Sequence, residues 1–318
     1  MKSPVTLRME SFMLTRSHAK KILIISMFLI GIKTDIYAKS DTYEQEVGNK
    51  EEEIEQPRIG NFALPTAQQP TPLVSFGQNI VDEKDLKLFT YAGYLRGHKK
   101  LFAEVIPAVL YGIKDRLSVF VGLPIAAKFR DDCQVSSGPE DIFVQFEGAI
   151  YSEGESQRAN MVTLVANITA PTGLALDVPP TGSDAPTFFL GFTAAHFDTV
   201  WYYFVSAGGL FPTSHKCTKF GNHFLYQAGL GRNIWYVSDK WIFNWLIELD
   251  GHYSKRDILK CQIDCDSGGE QVLLGPSLFL SGQHITVQLG ISWVITQHLF
   301  GMQGKDHYLL AANVGWKF

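Results

Sequence analysis

From about residue 86 to the chain end, apolar and polar positions alternate with a period of two in one run after another. Trp241, Phe243, Trp245, Ile247 and Leu249 alternate with Ile242, Asn244, Leu246, Glu248 and Asp250. Ile285, Val287, Leu289, Ile291 and Trp293 alternate with Thr286, Gln288, Gly290 and Ser292. Ile142, Val144, Phe146 and Ile150 alternate with Phe143, Gln145, Glu147 and Ala149. Successive side chains of a strand point to opposite faces, so each run presents one apolar face and one mixed, partly polar face. A helical period fits none of the three well. About twelve such runs of ~10 residues occur, the length of a strand that crosses a membrane in a barrel.

The connections separate a barrel from a sandwich. Short ones (114–116, 197–199, 237–240, 281–283) alternate with long ones (130–140, 173–186, 212–223, 254–270, 297–307), and 153–158 is intermediate. Short turns on one side and long loops on the other are the habit of an outer-membrane barrel, and a sandwich has no reason to keep that alternation. The pattern predicts an all-β fold: a transmembrane, antiparallel, up-and-down β-barrel of about twelve strands over residues 86–318.

The residues ahead of the barrel divide into three. Arg16, His18, Lys20 and Lys21 precede an unbroken apolar run over 22–32, and Ile36-Tyr37-Ala38 offers a small residue for cleavage. A positive region, a short apolar run and a small-residue cut site describe a secretory signal peptide over 1–38, starting at Met1 or at Met13. The apolar run falls short of the ~20 residues a spanning helix needs. Residues 39–57 are acidic, with Glu51, Glu52, Glu53 and Glu55 close together, and read as a disordered leader. Residues 58–85 are Pro- and Gln-rich yet carry Phe62, Leu64, Leu73, Val74 and Phe76, while Pro65, Pro70 and Pro72 exclude a helix. An extended segment packed against something larger is expected there, and a lumen plug is one form of it.

Composition narrows the function classes. Charged residues reach only 19% against about 25% in an average soluble domain, and Phe (22), Tyr (12) and Trp (6) supply the surplus of aromatics. A net charge of −4, with no cluster of Lys and Arg, gives no footprint for nucleic acid. Cys133, Cys217, Cys261 and Cys265 all fall in long connections, and an even count in an oxidising exterior makes them disulfide candidates with the pairing open. A zinc site built from Cys261, Cys265, Cys217 and His215 lacks a matching second pair, so no metal and no cofactor is expected. The chain ends on an alternating strand through Trp316 to a terminal Phe318, like the signal read by the barrel-assembly machinery of Gram-negative outer membranes.

Several segments resemble the family of outer-membrane transporters linked to the meta pathway of phenol degradation. They are Gln78-Asn79-Ile80-Val81, the stretch 105–116 (VIPAVLYGIKDR), Pro139-Glu140-Asp141-Ile142 with Val144-Gln145, and Pro171-Thr172-Gly173. The resemblance spans residues 60–318 and implies an outer-membrane barrel with a transport role; the loop cysteines depart from the family pattern.

Lumen-lining candidates are the polar members of the inward faces: Glu104, Gln145, Glu147, Asn167, Asn244, Glu248, Asp250, His252, Gln288 and Asn313, with Thr169, Thr286 and Ser292. Facing lipid at mid-depth would cost roughly 2–4 kcal/mol for Arg or Lys and less for an acid, which assigns these residues inward. More acids than bases favour neutral or cationic solutes, and Ile242, Leu246, Phe143 and Phe279 on the same faces suit weakly polar ones. Glu248, Asp250 and His252 share a face at spacing two, as an acid–base or metal cluster would, although an internal hydrogen-bond network is the commoner use of such a triplet. The expectation is therefore a non-enzymatic channel in lipid that passes small hydrophobic or aromatic molecules by facilitated diffusion. The alternatives are a surface-exposed barrel whose disulfide-tied loops bind a partner and a barrel-wall hydrolase.

Overall fold

The computed structural model describes residues 58–155 and 157–318. The expected signal peptide and acidic leader lie outside the described residues. The strands are β1 (Leu86–Gly97), β2 (Lys100–Lys114), β3 (Leu117–Gly122), β4 (Ile125–Asp131), β5 (Gln134–Pro139), β6 (Phe143–Glu155), β7 (Arg158–Thr169), β8 (Thr187–Asp198), β9 (Trp201–Pro212), β10 (Ser214–His215), β11 (Thr218–Lys219), β12 (His223–Val237), β13 (Trp241–Ser254), β14 (Ile258–Leu259), β15 (Gln262–Ile263), β16 (Gly269–Gly282), β17 (Ile285–Leu299) and β18 (Asp306–Lys317). All pairings are antiparallel, and β1 pairs with both β2 and β18 (Lys87 opposite Lys317), which closes the sheet. The result is a twelve-strand barrel.

Two wall positions are each built from two pieces. The lower part of β2 (Ala108 to Lys114) pairs with β3 and its upper part (Lys100 to Val105) with β4, so β3 and β4 are halves of one strand interrupted at Leu123-Pro124. Proline has no N–H to give to a ladder, and the break falls where it must. β5 and β6 repeat the arrangement beside them, pairing with β4 and β3 respectively. The expected long loop over 130–140 is therefore corrected to a hairpin that carries the wall upward. β7 pairs with β6 from Phe143 onward, and the connection 170–186 covers β5 instead, with Ser136 Oγ donating to the Pro179 carbonyl and Thr181 Oγ1 to the Pro139 carbonyl.

Burial alternates along the strands, as in β8 and β9, because one face meets the interior and the other the surroundings. The outward face is apolar: Val109, Ile168, Phe192, Val205, Leu278 and Leu289 are among its exposed side chains. Trp201, Trp235, Tyr236, Trp241 and Trp316 are exposed near the short-turn end, where an aromatic girdle meets the membrane interface. At the other end β10, β11, β14 and β15 form a small sheet that joins the connections after β9 and β13. One connection breaks the alternation: β1 and β2 meet through His98 and Lys99 alone, on the side where the other links are long.

Candidate functional site

Residues 58–85 lie inside the barrel. Their hydrogen bonds reach β3, β6, β8, β12, β13 and β17, and only an interior position touches walls on all those sides. The segment enters and leaves by the short-turn end. Near its start the Asn61 N–H donates to the Thr199 carbonyl at 2.9 Å and its Nδ2 to the Asp198 carbonyl at 2.8 Å. Near its finish the Lys84 backbone N–H donates to the Gly112 carbonyl at 2.8 Å, two residues before β1. Two single 3-10 turns, Gly60–Phe62 and Thr66–Gln68, interrupt an otherwise irregular path, since the prolines allow nothing longer. Gly60, at φ +56°, is required: a Cβ there would sit 1.8 Å from the Thr199 carbonyl oxygen.

The apolar side chains of this segment occupy the centre of each interior cluster. Leu73, Val74 and Phe76 pack with Phe102, Phe129, Phe189, Leu210 and Leu225. Ala67 and Val81 join Tyr91, Ile106, Phe120 and Phe143, while Phe62 and Ile80 join Tyr202, Phe204, Leu246 and Phe279. Phe76 meets the Phe189 ring edge-on at 4.7 Å.

Polar wall residues supply what the segment's backbone lacks. A non-repetitive chain buried in a barrel has N–H groups with no ladder to join, and each must find a partner. Glu248 accepts from the N–H groups of Leu73 (2.8 Å), Val74 (3.1 Å) and Ser75 (3.3 Å). Asp250 accepts from Ser75 Oγ at 2.8 Å. Glu147 accepts from the Gln78 and Asn79 N–H groups and from Asn79 Nδ2. Gln288 Nε2 donates to the Thr71 carbonyl at 2.7 Å, and Asn244 Nδ2 to Asn61 Oδ1 at 2.7 Å.

The structure therefore gathers Glu147, Asn244, Glu248, Asp250 and Gln288, from three strands far apart in sequence, onto one internal segment. The other candidates are buried on the inner wall: Gln145 stands opposite Asn167 across β6 and β7, Asn313 opposite Tyr91 and Gln288, and His252 opposite Gln271. Glu104 is buried on β2 with no donor at either carboxylate oxygen among the described residues. Sequence reasoning missed Gln227, which accepts from the Phe76 N–H at 3.0 Å, and Ser118, which accepts from that of Val81 at 3.0 Å. Both lie on inward faces and carried the same alternation signal as the residues that were found.

Above the segment's tip, at the long-loop end, is a cavity of about 280 Å³. Phe102 and Phe129 line it, meeting edge-to-face at 5.4 Å, with Glu140, Thr181, His215 and Lys260 around them. Asp141, next to Glu140, accepts from the Gly173 N–H at 2.8 Å and from Ser183 N–H at 2.7 Å, which fixes the connection 170–186 over this space.

The cysteines divide. Cys217 and Cys261 are bonded, with Cα atoms 4.8 Å apart, and the Cys261 N–H donates to the Cys217 carbonyl at 2.8 Å. Cys133 and Cys265, expected as bridge partners, are free and exposed. The strand order gives the reason: the β9–β12 and β13–β16 connections are neighbours around the mouth, whereas the β4–β5 tip and the β13–β16 connection lie on opposite sides of it. Trp316 and Phe318 stand exposed at the end of β18, and the Phe318 N–H reaches the Leu86 carbonyl beside the seam that closes the barrel.

No protein-family model matches the sequence, and no curated protein does. Among solved structures, the fold is similar to that of an outer membrane channel from Pseudomonas putida F1, at 13% identity and a TM-score of 0.65, covering 76% of this chain and 97% of that one. The NanC porin aligns at 11% identity and a TM-score of 0.46, over 73% of this chain and all of that one. At these identities the likeness is one of architecture: the chain has the fold of a transmembrane, outer-membrane type of β-barrel.

Proposed function

We propose that the chain is an outer-membrane channel of a Gram-negative bacterium, exported by a cleaved signal peptide, that passes small hydrophobic or aromatic molecules by facilitated diffusion. The observation that carries this reading is what fills the barrel. About eight strands enclose a space that wall side chains alone can fill; twelve enclose more, and here the remainder is occupied by residues 58–85 of the same chain. An occupant held by hydrogen bonds and apolar contacts can shift or withdraw, so residues 58–85 act as a plug and the described state is the closed one. The aromatic-lined cavity at the mouth suits a solute that leaves water before it meets the plug. In this reading the strand ending in Trp316 and Phe318 is presented to the barrel-assembly machinery, and the apolar wall to outer-membrane lipid.

Liposome swelling tests the proposal. The full chain is expected to admit a neutral aromatic solute slowly, and a Glu147→Gln/Glu248→Gln double variant to admit it faster. Absence of swelling with either protein, both shown to be folded by heat-modifiable gel migration, would remove the channel. The second reading, a surface barrel whose loops bind a partner, would then lead, because the Cys217–Cys261 bridge and the small sheet through β11 and β14 make those loops a rigid platform.

A further inference from the structure

The mouth cavity is lined by one buried carboxylate that the plug does not use, Glu140, and a second, Glu104, is buried on β2 two residues from the cavity-lining Phe102. Glu140 lines the cavity, is only 2% exposed, and its Oε1 meets no protein donor. Glu104 is equally buried, lacks a donor at both oxygens among the described residues, and stands opposite Ala126 of β4, which in turn stands opposite Gly138, two residues before Glu140. Three other acids contrast with them: Glu147 and Glu248 are held by backbone N–H groups of the plug, and Asp141 by Gly173 and Ser183. A buried carboxylate left without a partner is costly: it either takes up a proton or is stabilised by a cation that comes to it.

The neighbours of this pair say what kind of cation. Phe102 sits two residues before Glu104 on the same inward face of β2, and its ring lies edge-to-face with Phe129 at the cavity wall. An ammonium group draws on both carboxylate charge and ring faces, whereas no cluster of three or more His, Cys, Asp or Glu that would hold a metal occurs among the described residues. Of the positive groups, Lys216 and Lys260 are exposed on the rim, where solvent and salt screen them, His215 is paired with Asp184 at 3.1 Å, and Lys100, buried on the same face of β2, donates to the Gly304 carbonyl at 3.2 Å. We propose that Glu140, backed by Glu104 and flanked by Phe102 and Phe129, forms a binding site for a small organic cation, an ammonium group on a compact apolar body. A volume near 280 Å³ limits that body to about the size of a single substituted ring. The role of the site in passage rests on the channel reading; binding itself does not.

The test measures binding to the detergent-folded full chain by calorimetry, with benzylammonium, benzyl alcohol and benzoate as cationic, neutral and anionic probes of one size. Benzylammonium is expected to bind tightest. Glu140→Gln should weaken it by about tenfold or more, as loss of a charged partner does, with little change for benzyl alcohol. Glu104→Gln should weaken it less, and Phe129→Leu should narrow the margin between the cation and the alcohol. Heat-modifiable migration identifies any variant that has failed to fold, and either of the other two variants then serves. Benzoate binding as well as the cation, no binding of benzylammonium, or an unchanged affinity in folded Glu140→Gln would each overturn the site. Cation binding without any swelling of liposomes would leave the site standing and remove the channel.

Discussion

The carboxylate of Glu248 accepts the backbone N–H of Leu73 at 2.8 Å, joining the middle of β13 to a residue 175 positions earlier in the chain. The same carboxylate takes the next two N–H groups as well, so one wall side chain satisfies three consecutive donors of the plug. Glutamine at this position keeps one acceptor oxygen and brings an NH₂ against N–H groups. Each hydrogen bond to a charged partner is worth roughly 1.5–3 kcal/mol. Glu248→Gln should therefore loosen residues 58–85 without unfolding the barrel. Hydrogen exchange at Leu73 to Ser75 should accelerate while the strand amides stay protected; equal acceleration in both would show that Glu248 supports the wall instead.

Glu147 performs the corresponding task on the returning limb, for Gln78 and Asn79. The two clamps act on one segment, so their removal should be non-additive. Single-channel conductance is expected to rise more in the Glu147→Gln/Glu248→Gln variant than the two single variants predict by summation. A strictly additive result would mean that the limbs move independently.

The bridge between Cys217 and Cys261 links neighbouring loops and lies outside the barrel wall. Cys217→Ser should leave heat-modifiable migration unchanged, because the ladders from β1 to β18 do not pass through it. Tryptic cleavage at Lys216, Lys219 or Lys260 should quicken several-fold, since local opening of the small sheet becomes easier. Loss of the migration shift would contradict this division between wall and loops.

Phe192 faces outward near the middle of β8, whereas Trp241 starts β13 at the short-turn end. Arginine is costly at the midplane, about 2–4 kcal/mol, and nearly free at the interface. Urea titration of vesicle-folded protein should show Phe192→Arg strongly destabilised and Trp241→Arg much less so. Equal effects would place the membrane differently along the wall.

The barrel was legible because its alternation is simple: outward residues such as Phe243, Trp245 and Ile247 answer to lipid, and inward ones such as Asn244 and Glu248 to the interior. What stayed hidden depends on which strands become neighbours. Leu123-Pro124 carried a visible proline, yet that one strand would break there and resume in register against β2 is a property of the pairing. The choice of Cys261 over Cys133 as the partner of Cys217 follows from loop order around the mouth, and on the shared connection it is Cys261, not Cys265, whose N–H bonds the Cys217 carbonyl. Polar residues within the Pro-rich segment, among them Asn61, Ser75 and Gln78, gave no periodic signal, because an irregular backbone presents its donors without a period. Glu140 stood out in sequence only as part of a short motif; that its Oε1 is buried without a donor among the described residues is a fact of three dimensions.

Residues 58–85 run directly into β1 at Leu86, and that continuity makes the plug an intramolecular ligand of its own barrel. A ligand so tethered is present at an effective concentration on the order of millimolar however dilute the protein becomes. Closure is consequently a first-order event: it does not weaken on dilution, and it does not require that a partner be expressed alongside. Any solute that opens the barrel must compete against that standing local concentration, through the carboxylates and rings that the plug itself occupies.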